Sequence, residues 1–161
     1  MTAIINGVSR FDMTFYPTGT FDTYEMIVDS GRVLLARQLA EGLVFQLTTF
    51  AVGTGGIDWT AHPPKARPVD PALPALENGI FTGPLSAPVS YPSPGFYSIY
   101  FRVCPQDVQA VLGEYGIYAT ITASPTNPSE IGSLVLFAVG HLPPYYLFNQ
   151  NILTRRVVIS A

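Results

Sequence analysis

A mainly β (α+β) domain with one packed helix is the fold class that this chain of 161 residues predicts, and three observations carry it. Runs rich in β-branched and aromatic residues recur through the second half of the chain. Pro and Gly, 15 and 14 in number, punctuate every boundary between them. Only one stretch combines helical spacing with a start and a stop signal. The expected architecture is a small antiparallel or mixed β-sandwich-like domain over residues 30–161. An extended N-terminal arm, residues 1–29, precedes it.

The arm mixes Phe11, Phe15, Tyr16, Phe21 and Tyr24 with Thr, Gly and Asp. It contains short alternating pieces such as Met13–Tyr16 and Phe21–Tyr24, with no hairpin turn to supply a local partner. The helix is expected from Ser30, as N-cap, through Glu41 to a stop at Gly42. Leu35 and Leu39, with Ala36 and Ala40 beside them, form the stripe expected to face a core, and Arg32 and Arg37 are expected on a solvated face. Leu43–Val52 then reads as a strand closed by Gly53-Thr54-Gly55-Gly56. Residues 53–79 hold Pro63, Pro64, Pro68, Pro71 and Pro74, a density that forbids regular helix and predicts an extended loop with a task. Further strands are expected at about Leu85–Tyr91, Phe96–Cys104, Gly116–Ala123, Ile131–His141 and Ile152–Ser160. Phe96–Val103 is apolar or aromatic on both faces, which predicts cover on both sides or a subunit contact. Gly132 and Gly140 predict bends or close backbone approach. No repeat of 20–50 residues occurs.

Charge excludes several classes. Asp and Glu number 11 and Lys and Arg 8, for a net charge of -3, where an average domain of this size carries about 40 charged groups. With one lysine, Lys65, there is no basic stripe for nucleic acid or for an anionic membrane. The most apolar run, Ile131–Val139, is too short to span a bilayer as a helix. The opening MTAIINGVSR lacks a basic and apolar leader, which predicts synthesis in the cytosol. Cys104 is the single cysteine and reads as a small buried hydrophobe. So few charges predict a neutral exterior that other subunits cover.

No catalytic frame emerges. The Gly53–Gly56 turn has neither the Lys-Ser/Thr ending nor the following helix of a phosphate cradle. His62 and His141 are not at metal-ligand spacing, so no metal site and no cofactor are expected. His141 reads as a hydrogen-bonded strand-end residue. No G-x-S-x-G elbow is present, and the acids Asp58, Asp70, Glu77, Asp107, Glu114 and Glu130 are dispersed. Glu114, set in Gly113-Glu114-Tyr115-Gly116, stands out, with a charged turn residue paired to an arginine such as Arg102 as its plain reading. The aromatics remain: Trp59, Tyr145, Tyr146 and Phe148 are expected at contacts, whereas Tyr97, Tyr100 and Tyr118 are expected in the core.

In order, the segments Arg37–Gly42, Phe50-Ala51-Val52-Gly53-Thr54-Gly55-Gly56, Leu112-Gly113-Glu114-Tyr115-Gly116-Ile117-Tyr118 and Phe137-Ala138-Val139-Gly140-His141-Leu142-Pro143-Pro144, followed by Arg156-Val157-Val158-Ile159, resemble the attachment domain of bacteriophage tail fibres, the tail-collar fibre family. The resemblance spans about Ser30 to Ile159. It implies a virion tail protein without catalysis, commonly a trimer, that joins a fibre or receptor-binding part to the tail or baseplate. Two departures are the 29-residue arm before the helix and the lack of a fibre shaft, which favour an adaptor partnered by other tail or baseplate proteins and a separate fibre chain. The arm, with Phe11, Phe15, Tyr16, Phe21 and Tyr24, is expected to add to a sheet edge or groove of a neighbouring subunit. A rival expectation is a glycan-binding module that stacks sugars on Trp59 and the tyrosines.

Overall fold

Runs of β-branched and aromatic residues form two antiparallel sheets that face each other across a shared core, and the central strands of the larger sheet are buried on both faces. The computed structural model describes residues 11–16, 24–87, 89–90 and 96–160. In chain order the elements are β1 (Phe11–Tyr16), β2 (Tyr24–Ile27), α1 (Asp29–Glu41), β3 (Val44–Gly53), β4 (Ile57–Asp58), β5 (Lys65–Ala66), β6 (Gly79–Pro84), β7 (Val89–Ser90), β8 (Phe96–Val103), β9 (Ala110–Ala123), β10 (Leu134–Leu147) and β11 (Leu153–Ser160), with a short 3-10 turn at Pro128–Glu130. One sheet runs β1-β11-β8-β7, the other β2-β10-β9-β3-β6, and β4-β5 is a small ribbon. The mainly β class with one helix is what the structure shows.

The core between the sheets is built from alternate residues, except that the register shift between His141 and Tyr145 brings Leu112 of β9 into it as well. Ile99, Phe101 and Val103 of β8 and Leu153 of β11 meet Phe50 and Val52 of β3, Leu112, Tyr115 and Ile117 of β9, and Leu142 of β10. Phe50 and Phe101 stack with centroids 4.4 Å apart, and Phe101 tilts against Tyr115 at 5.7 Å. Such pairs contribute about 0.5–1.5 kcal/mol each beyond the area they bury. The intervening residues of β8, Tyr100 and Arg102, are exposed, so within this chain that strand is covered on one face, not two. Arg155, fully buried, places its guanidinium 5.2 Å from the Tyr115 ring centroid.

The opposite face of the five-stranded sheet has its own cover. Pairing Leu136 with Tyr118 and Val139 with Gly116 puts a short apolar row on that side. Val69, Leu73 and Leu76 of the Pro-rich loop pack on it together with Val28 and Met26. The loop is therefore a lid fixed on a sheet, and this gives its proline density a physical role: fewer conformations are lost when it docks.

Several expectations change. The helix is capped by Val28 without a side-chain bond, because the Ser30 hydroxyl donates instead to the Leu136 carbonyl at 2.5 Å. Its stop at Gly42, with φ of 73°, is as expected. The buried stripe is Gly31, Leu34 and Leu35, whereas Leu39 is 71% exposed and Ala36 and Ala40 are exposed as well. The reason is Gly31: α1 approaches β10 so closely that a Cβ there would strike the Phe137 carbonyl, and this contact sets the helix rotation. Arg37 is not on a free solvated face. It forks onto Glu130 and also reaches Glu41 at 2.9 Å.

Within the expected arm, β1 pairs with β11 and β2 with β10 of the same chain, and Ile27 and Val28 are buried. Their main-chain hydrogen bonds are spent internally, with partners more than 100 residues away. Of the expected strand at Leu85–Tyr91, residues 85–87 are not strand and Val89–Ser90 are, with Pro88 and Tyr91 outside the described residues, while Gly79–Pro84 forms an edge strand, where Pro84 is tolerated. Beyond the expected end at His141, β10 continues through Pro143 and Pro144, because a register shift between His141 and Tyr145 frees those positions from ladder pairing. Gly132 lies in an exposed turn with φ of 91°, and Gly140 lies against the Tyr115 ring. Cys104 is half-buried.

Candidate functional site

At the end of the face under the lid, β3, β9 and β10 bring Gly53, Glu114 and His141 side by side in register. The Glu114 carboxylate has no exposed surface. Its Oε1 accepts the N–H groups of Asn78 at 2.7 Å and Gly55 at 3.2 Å, and its Oε2 accepts the Glu77 N–H at 3.0 Å. One strand-borne carboxylate thus ties the Gly53–Gly56 turn to the far end of the lid. Burial of that charge is offset by three charge-assisted bonds. Pairing with Arg102 does not occur, since Arg102 belongs to the other sheet, on β8.

Glu77 adds a second carboxylate. Its Oε2 accepts the Gly56 N–H at 2.8 Å and the Arg67 guanidinium at 2.5 Å. Partial burial pushes the Glu77 carboxyl up, but the Gly56 N–H and Arg67 outweigh it and hold its pKa below the ordinary value. Arg67 also donates from its backbone N–H to the Gly56 carbonyl at 2.8 Å. The Arg67 carbonyl in turn accepts from Nδ1 of His141 at 2.9 Å. A backbone carbonyl only accepts, so Nδ1 carries a proton in that bond, and the tautomer it selects has Nε2 as the acceptor. Gly56 is required twice over: its φ is 78°, and a Cβ would lie 2.7 Å from the Gly113 carbonyl oxygen and from Cδ2 of His141.

His141 is hydrogen-bonded, as expected, though it lies within β10 rather than at its end. The cluster of Glu77, Arg67, Glu114 and His141 is not predicted by spacing along the chain. The available signal was an acid between two glycines on an apolar strand, facing a Gly-rich turn one strand away.

The sequence-predicted contact residues are dispersed. Phe11, Phe15 and Tyr16 lie in β1, Tyr24 lies in β2, and Phe21 lies outside the described residues. Both strands are sheet edges. Trp59 is exposed on the turn after β4. Tyr146 and Phe148 are exposed at the end of β10, whereas Tyr145 is half-buried and its hydroxyl donates to the Ile152 carbonyl at 2.7 Å. Of the tyrosines expected in the core, Tyr100 is 46% exposed and Tyr118 is half-buried. Two open grooves are present among the described residues: one of about 370 Å³ beside Phe81, Tyr100 and Asp107, and one of about 340 Å³ beside Leu76, Ile80 and Tyr118. Neither includes the Glu114 cluster.

Fold and site together define a two-sheet β domain with a charged staple beneath a proline-rich lid. Comparison with protein-family models, with curated proteins and with solved structures finds no match to this chain.

Proposed function

We propose that the chain is a structural component of a bacteriophage tail, an adaptor that joins fibre or receptor-binding parts to the tail or baseplate through protein–protein interfaces. It is made in the host cytoplasm, carried in the virion, and self-associates, with a trimer favoured. The observation that carries this reading is the convergence of three separate motif segments. Phe50–Gly56, Leu112–Tyr118 and Phe137–Pro144, which bear the family resemblance, occupy adjacent strands, and their conspicuous residues meet in the Glu114 staple. Motifs that share an order in sequence thus share one structural task, and that task is to hold a surface loop rigid.

The exterior supports the same reading. Val33, Leu39, Trp59, Tyr100, Ile131, Leu134 and Tyr146 are each about half exposed or more on a chain with 19 charged residues. Where such side chains adjoin one another they offer contact material for neighbouring subunits. Since β1 and β2 are already paired at home, adaptor contacts are assigned to these exposed residues and to the free sides of the edge strands, not to main-chain donation by a detached arm. Light scattering on the purified chain at rising concentration tests this. An oligomer is expected, and a persistent monomer at high concentration contradicts it.

A further inference from the structure

We propose that Glu77, Glu114 and His141 form a binding site for a first-row divalent transition-metal ion of the Zn2+ type. One donor atom from each residue lies within 4.8 Å of the others, the one such trio among the described residues. The second observation is His141 Nε2: the ring is 99% buried, Nδ1 is committed to the Arg67 carbonyl, and Nε2 has no hydrogen-bond partner. A buried lone pair without a donor is costly, and an imidazole whose Nδ1–H is held by a carbonyl is the arrangement that presents Nε2 to a metal.

The two carboxylates have matching capacity. Oε1 of Glu114 takes two N–H groups and Oε2 takes one, so Oε2 keeps an open lone pair. Glu77 uses Oε2 for Gly56 and Arg67, and its Oε1 carries the remaining capacity. Backbone N–H groups thus hold both candidate ligands from behind, which is how ligating carboxylates are oriented. Two carboxylates against the single guanidinium of Arg67 leave one net negative charge, which a dication compensates. Ligands 2.0–2.2 Å from a tetrahedral ion are about 3.4 Å apart. The Glu77 side chain, partly exposed at the rim, is the one able to swing inward and close the difference. One nitrogen and two oxygens favour Zn2+ over Ca2+ or Mg2+, which take six or more oxygen ligands.

The test uses the full chain stripped with EDTA and titrated by calorimetry with Zn2+, Ca2+ or Mg2+ in separate arms. Expected are one Zn2+ per chain, at least 100-fold weaker Ca2+ and Mg2+, and a rise in Tm with Zn2+ alone. Glu77→Gln and His141→Gln should each weaken Zn2+ at least tenfold. His141 and Glu77 both also hold Arg67, so the metal-free Tm of each variant is the control, and weakened Zn2+ binding at an unchanged metal-free Tm separates lost ligation from lost folding. Absence of saturable Zn2+ binding, or binding that neither substitution weakens, overturns the proposal. Either result leaves the tail-adaptor reading to its own test, since that reading requires no metal.

Discussion

Replacing Glu114 by Gln keeps the shape of the staple and removes its charge, so it isolates what the carboxylate contributes. The Gln carbonyl oxygen accepts at most two of the three N–H groups from Gly55, Glu77 and Asn78, and the amide NH2 then confronts the third as donor against donor. A buried donor left unsatisfied costs about 1–3 kcal/mol, and two charge-assisted bonds become neutral ones at about half their strength. Relief from burying a charge works in the other direction but does not restore a partner to the third N–H. The net expected loss is about 3 kcal/mol, or roughly 6–12 °C in Tm for a domain of this size. Urea unfolding is the assay, with the midpoint falling at unchanged slope. Trypsin cleavage at Lys65, exposed within the lid, should accelerate in parallel. A loss below about 0.5 kcal/mol, the range of an ordinary surface substitution, refutes the staple.

Other substitutions probe the remaining contacts. Gly31→Ala improves helix propensity but drives a Cβ into the Phe137 carbonyl, so a net loss of about 1–3 kcal/mol is expected by denaturant unfolding. Phe101→Ala removes the ring between Phe50 and Tyr115 and should cost about 3–5 kcal/mol in the same assay. The Arg37 guanidinium and the Ser124 hydroxyl lower Glu130 from the ordinary 4.5 to about 2. A carboxyl depressed on folding contributes stability that is complete above pH 4.5 and is lost as pH falls toward 2, so Tm should drop across that window and Arg37→Met should flatten the drop. Leu39→Glu, at an exposed helix position, should change stability by under 0.5 kcal/mol while weakening self-association in sedimentation.

Local chemistry made part of this fold legible. Gly42 ends the helix where a left-handed residue is needed, and β3, β8 and β11 fall within a residue or two of the β-branched and aromatic runs. What depended on distant partners was hidden. Phe11–Tyr16 becomes a strand because β11, about 140 residues on, offers its edge. The helix buries Leu34 rather than Leu39 because one glycine meets one carbonyl of β10. At the site, Glu114 was conspicuous as an acid on an apolar strand, and the partners that satisfy it are backbone N–H groups, which carry no residue signature. Glu77 and Arg67 lie in a loop whose spacing encodes nothing about the sheet it covers.

The central proposal, that this domain is a part of a phage tail, is tested most directly by cryo-electron microscopy of virions purified from the source of this chain, with the two-sheet domain fitted into the density. The account predicts symmetric copies at the tail or baseplate, with Trp59, Tyr146 or the outer face of α1 against neighbouring chains. Particles that lack the protein altogether, together with a monomeric chain in solution, contradict it.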